Sequence, residues 1–209
     1  MKRGLKSKLN IQTISETKSR KKSPDSFEDF SLIGMRIPKD FFVTQGTGES
    51  NITVHAGSYH LALKKAGIEM CNIMTYSSIM PEIAREIERP ENLVHGAVLE
   101  TIIACSNSKK GERATAGIIY GWLKERSTGK KFGGLVCEYN GNLPAVEAEE
   151  QLRESLNELY FNGFEEKYTV TDARVLMESF VPEKNFGTAI TAICFTNYLV
   201  PVPGRNQLI

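Results

Sequence analysis

Asn72-Ile73-Met74-Thr75-Tyr76-Ser77-Ser78-Ile79-Met80-Pro81 opens as a short apolar and β-branched run, the pattern of a strand. It closes on a serine pair followed by an apolar dipeptide and a proline. That pair has a specific chemistry open to it. The Ser78 hydroxyl can attack the carbonyl of Ser77, exchanging the peptide bond for an ester. β-Elimination of the ester frees Ser77 as a new carboxy terminus and leaves dehydroalanine at position 78. Water then displaces ammonia and leaves a ketone, a pyruvoyl group heading the second half of the chain. No ordinary side chain offers a ketone, and covalent capture of a substrate amine divides a hard reaction into easier steps. Ser-Ser dipeptides are common, so the surrounding residues must decide whether this one reacts.

With 209 residues, 41% of them hydrophobic, the chain can bury one good-sized core, and one folded domain is the expectation. The net charge of +1 conceals an asymmetry. The first 22 residues carry Lys2, Arg3, Lys6, Lys8, Lys18, Arg20, Lys21 and Lys22 against Glu16 alone, so the remainder is mildly acidic. Residues 1–34 lack apolar periodicity and read as a flexible basic arm. Such an arm can meet nucleic acid or another anionic surface, but a solvated tail is the plainer reading and nucleic acid is not the expected partner. No apolar run reaches the length of a membrane span, and no apolar segment of a secretory signal follows the basic start. Cys71, Cys105, Cys137 and Cys194 are widely spaced and form no C-x-x-C, as expected of free thiols in a cytoplasmic protein. Three histidines without ligand spacing give no reason to expect a metal.

Working outward from the serine pair, Ile37–Thr44 reads as a turn leading into a strand, and Gln45–Ser50 as a glycine-rich connection without a phosphate-binding pattern. Thr53 can cap a helix running to about Ala66, with Gly67 suited to its end. Beyond Pro81 the chain is irregular to Asn92. Val94–Cys105, Ala114–Leu123 and Phe132–Tyr139 read as three strands of a meander. Ala145, Ala148, Leu152, Leu156, Leu159 and Tyr160 recur at helical spacing beneath an acidic face. Ala173–Val181 and Gly187–Leu199 complete the strands, and the tail from Pro201 to Gly204 can continue neither strand nor helix. This order predicts an α+β fold with helices covering the outer faces of antiparallel or mixed sheets.

From about Ile37 to Leu199 the chain resembles the pyruvoyl-dependent arginine decarboxylases. The resemblance is carried by Gly48-Glu49, by Ala66-Gly67-Ile68 ahead of Asn72-Ile73, and by Ser77-Ser78-Ile79-Met80-Pro81. It continues in Gly134-Leu135-Val136-Cys137-Glu138-Tyr139-Asn140-Gly141, Glu147-Ala148-Glu149 and Phe186-Gly187-Thr188-Ala189. It implies a four-layer αββα sandwich at residues 35–209, made as a proenzyme that cleaves itself between Ser77 and Ser78. The β chain is then residues 1–77 and the α chain 78–209, headed by a pyruvoyl cofactor. It also implies a homo-oligomer, trimer or hexamer, with active sites between subunits, that converts L-arginine to agmatine and CO2.

The same resemblance assigns roles to single residues. Asn72 matches a position that assists cleavage, and a side-chain amide could steady the oxyanion formed at Ser77. Glu138 matches the acid proposed for catalysis, and protonation of the substrate α-carbon needs such a donor. Leu63 and Ile79 match positions lining the substrate pocket. His60 falls where the family carries an aspartate that holds the substrate guanidinium. An imidazole cannot accept two bonds from that fork as a carboxylate does. Either another carboxylate, Glu49 or Glu69, takes the role, or the substrate is a different amino acid, or the local alignment slips by a residue. An unprocessed pseudoenzyme, serving as an oligomeric binding protein, is the alternative of a different class.

Overall fold

The structure, a computed structural model, describes residues 35–200; the basic arm and the tail from Pro201 lie outside them. Among the described residues nine strands form two sheets and two α-helices cover them. The strands are β1 (Ile37–Ser50), β2 (Asn72–Thr75), β3 (Ile79–Pro81), β4 (Arg85–Glu86), β5 (Val98–Lys109), β6 (Ala114–Glu125), β7 (Lys131–Gly141), β8 (Tyr168–Phe180) and β9 (Phe186–Leu199). Helix α1 is His60–Ala66 and α2 is Ala145–Gly163. One sheet has the order β2-β5-β9-β1-β4 and the other β3-β7-β6-β8. Both short strands of the first sheet, β2 and β4, pair parallel to their neighbours, and every other pairing is antiparallel.

Three apolar clusters account for the packing. Phe41, Ile102, Ile193 and Phe195 of the first sheet meet Ile118, Tyr120 and Val136 of the second. Ala62, Leu63 and Ala66 of α1 bury against Phe42, Leu99, Ile190 and Cys194. Leu152 and Leu156 of α2 bury against Ile119, Leu123 and Leu135. Strands β6 and β9 are therefore covered on both faces, which explains why each is an almost unbroken run of buried residues.

Several expectations need correction. Gln45–Ser50 is no connection: it continues β1, paired with β9 as far as Ser50. Its glycines serve close approach instead. A Cβ at Gly46 would lie 2.4 Å from the Ala62 carbonyl oxygen, and one at Gly48 would lie 2.2 Å from that of Ser58. Thr53 makes no side-chain cap. A π-helical turn, Val54–Tyr59, precedes α1, and Ser58 within it meets Thr188 Oγ1 on β9 at 2.8 Å. Gly67 does end α1 in the left-handed region (φ 71°), where its N–H returns to Leu63 and Lys64. The meander is also corrected, because β5 belongs to the first sheet while β6 and β7 belong to the second. On α2 the buried stripe is narrower than the sequence pattern, since Ala145 and Leu159 are exposed.

Candidate active site

The stretch around the serine pair joins the two sheets. Strand β2 is the edge of the first sheet and β3 the edge of the second. Tyr76, Ser77 and Ser78 are the crossing between them, and each is held by a backbone bond. The Tyr76 N–H donates to the Thr101 carbonyl at 2.7 Å, and the Val136 N–H donates to the Ser78 carbonyl at 3.1 Å. The Ile79 N–H turns back to the Ser77 carbonyl at 2.8 Å. That bond spans two residues and makes Ser78 the centre of a γ-turn; its φ is not positive, so the turn is the inverse kind found at strand ends.

Ser78 is half-buried, and its Oγ donates to Glu138 with both carboxylate oxygens at 2.7 Å. Glu138 is set by β7, whose alternation decides its face. Leu135, Cys137 and Tyr139 point toward α2, whereas Val136 points into the space between the sheets and Glu138 follows two residues later. Burial pushes the neighbouring Cys137 thiol up to about 11, with the Glu138 charge adding to it, so Cys137 stays protonated at neutral pH. The bond between Ser78 and Glu138 gives the hydroxyl a proton acceptor, while the Ser77 carbonyl already carries a donor. Ser77 itself is exposed.

The remaining sequence-predicted residues have other partners. Asn72 is exposed at the far end of β2, and its Nδ2 donates to the Gly96 carbonyl at 2.9 Å. His60 is exposed at the start of α1. Leu63 is 7% exposed within the cluster beneath α1. Ile79 sits beside the serines and is 66% exposed. Glu49 is taken up structurally, accepting the Glu183 N–H at 2.8 Å. Within one chain the fold thus brings together Ser77, Ser78, Ile79 and Glu138. The donor on the Ser77 carbonyl, the Ile79 N–H, escaped the sequence reading because a backbone group leaves no mark in composition.

The family model for pyruvoyl-dependent arginine decarboxylase matches residues 40–200. The chain belongs to that family. Pyruvoyl-dependent arginine decarboxylases similar to it include that of Methanococcus vannielii, 29% identical over 158 residues, covering 75% of this chain and 90% of the relative. That of Methanococcus aeolicus is 26% identical over 159 residues, covering 76% and 90%. That of Thermococcus kodakarensis is 30% identical over 122 residues, covering 58% and 73%. A member of the pyruvoyl-dependent arginine decarboxylase family is an enzyme, a carboxy-lyase whose cofactor is a covalent pyruvoyl group. The residues present fit that group: a serine hydroxyl already bonded to a carboxylate, directly after a carbonyl already bonded to an N–H.

Proposed function

We propose that the chain is a self-processing decarboxylase that converts L-arginine to agmatine and CO2. The observation that supports it most directly is the bond from Ser78 Oγ to Glu138 beside a polarised Ser77 carbonyl. In processing, Glu138 takes the Ser78 hydroxyl proton as Oγ bonds to the Ser77 carbonyl carbon. The Ile79 N–H stabilises the oxyanion. The Ser77–Ser78 amide then breaks, leaving a free amine on residue 78 and an ester to Ser77. Loss of the Ser78 α-proton and cleavage of its Cβ–Oγ bond release the Ser77 carboxylate. Water enters and ammonia leaves, so the smaller chain is residues 1–77 and the larger 78–209.

In turnover, a pyruvoyl group at residue 78 would supply an electrophilic carbonyl able to accept the substrate amine and the electrons left by CO2. Glu138 holds the proton that goes to the substrate α-carbon. The packing of α1, two facing sheets and α2 supports reading residues 35–209 as a four-layer αββα sandwich behind an N-terminal arm. Asn72, His60 and Leu63 do not meet Ser78 within one chain, which supports a homo-oligomeric assembly, a trimer or hexamer, whose sites draw residues from neighbouring subunits. Free thiols at all four cysteines are in keeping with the cytoplasm. His60, in place of a carboxylate, leaves decarboxylation of another amino acid as the second reading.

Intact mass spectrometry under denaturing conditions tests processing, and CO2 release from labelled arginine tests turnover. The expected result is two fragments split at 77/78, the larger lighter than a serine-headed chain by one ammonia, with agmatine as product. A chain that stays whole on long incubation overturns the proposal in favour of a binding protein. Cleaved chains that release CO2 from another amino acid but not arginine leave the second reading.

A further inference from the structure

One carboxylate near the serine pair is used neither in processing nor in proton transfer. Glu100 lies on β5, 2% exposed, within the buried stretch Leu99–Ile102. Burying a carboxylate is costly unless charge and hydrogen bonds compensate it; Glu100 has an ion pair and, at Oε2, hydrogen bonds. The Tyr76 hydroxyl donates to its Oε2. The Arg36 guanidinium pairs with both oxygens, with Nε 3.3 Å from Oε2. The same guanidinium lies over the Tyr198 ring, 5.3 Å from its centroid. A carboxylate fork against an aromatic face is the arrangement that suits a planar guanidinium. Burial and the neighbouring Tyr76 push the Tyr198 phenol up, so that ring stays neutral.

Arg36 is an unusual occupant for so buried a partner. Its side chain is 52% exposed, whereas that of Glu100 is 3% exposed. It enters from outside, along a cleft of about 370 Å³ lined by Met35, Arg36, Pro38, Tyr76, Ser77 and Ile79. That cleft is therefore lined by Arg36, by Tyr76 and by the residues on either side of Ser78, with Glu100 beneath it through its bonds to Arg36 and Tyr76. We propose that Glu100, Tyr76 and Tyr198 form a guanidinium-binding site, filled by Arg36 in this chain, from which the substrate's guanidinium displaces Arg36. The proposal rests on the arginine reading for the identity of the displacing ligand. It supplies the carboxylate that His60 cannot, with Tyr76 tying the guanidinium site to the chain segment that carries Ser78.

Two measurements test it. In the processed enzyme, Arg36→Ala lowers the KM for arginine while kcat holds. In the uncleaved Ser78→Ala chain, calorimetric titration of agmatine needs neither processing nor turnover. There, adding Arg36→Ala tightens binding about tenfold, the factor set by a competitor that fills the site roughly nine-tenths of the time. Glu100→Gln weakens agmatine by at least about tenfold, since a charge-assisted bond is lost. Butylamine, which keeps the amine but carries no second cation, is the control, and neither substitution changes its binding. An arginine KM and an agmatine affinity both unmoved by Arg36→Ala overturn the site, and this arm stands even if the Glu100 variant fails to fold. Absence of arginine turnover in cleaved wild-type protein, by contrast, counts against the decarboxylase reading and leaves the agmatine titration standing.

Discussion

Glu138 is proposed to serve two proton transfers at one carboxyl group. Its contact with Ser78 Oγ exists in the uncleaved chain, so the first proposed transfer is assigned to processing and the second to turnover. Glu138→Gln keeps the size and a hydrogen-bonding oxygen but neither takes nor gives a proton usefully. The expected result is slow appearance of the two fragments by mass spectrometry. Among chains that do cleave, turnover should fall by about 10²- to 10⁴-fold, the usual worth of a positioned acid or base. Cleavage and turnover both at wild-type rates would remove Glu138 from the chemistry. The family resemblance made Glu138 legible for turnover alone, as the match to a catalytic acid. Its bond to Ser78 depends on the edge strand β3 being paired with its neighbour β7, and pairing is not written in either strand by itself. Asn72 shows the converse. Six residues upstream on a short strand it looked near the serines, but an extended backbone carries it roughly 3.3 Å farther off with every residue.

At the scale of elements, the contact of β1 with α1 and its preceding turn explains what the sequence obscured. Gly46 and Gly48 read as breakers because glycine is poor in strands. Both permit the helical segment to lie directly on the strand. Gly48→Ala sets a methyl group into the Ser58 carbonyl and should cost about 1–3 kcal/mol, the range for overpacking. A denaturant midpoint equal to wild type would mean that the segment can lift away freely. The other end of β1 is fixed by charge. Asp40 accepts Arg85 Nε on β4 at 2.6 Å and Asn197 Nδ2 on β9 at 2.7 Å. The bond from Arg85, then that from Asn197, hold its carboxyl below the ordinary value of 3.8. A lowered folded value means the contribution is complete above the ordinary value and fades as pH falls through the folded one. The stability difference between wild type and Asp40→Asn should therefore be full at pH about 6 and shrink below pH about 4. Denaturation midpoints that differ equally at both pH values would remove Asp40 from the acid response. Where a periodicity was long, as in α2, the sequence sufficed, because Leu152 and Leu156 bury on one face whatever the partner.

At the scale of the whole molecule, the assignment of strands to sheets was the least legible feature. A meander and a chain that changes sheets after β5 have the same alternation and the same turn residues. What separates them is that β6 and β9 are buried on both faces, against each other's sheet in one cluster and against α2 or α1 in the others. The same layout decides what the proposed cleavage at 77/78 would do to the fold. The smaller fragment carries β1, α1 and β2, and the larger one carries the second sheet together with β4, β5 and β9. Strand β1 then lies between β4 and β9 of the larger fragment, paired with β9 from Ile37 to Ser50, and β2 stays on β5 through four residue pairs. Phe41 and Phe42 of the smaller fragment remain buried in two different clusters. The only covalent loss is at an exposed crossing between sheet edges, so the two fragments should co-elute in native size exclusion and separate only in denaturant. Release of the smaller fragment under native conditions would show that β1 is not held as the interior strand of its sheet, and the two-sheet packing would have to be redrawn.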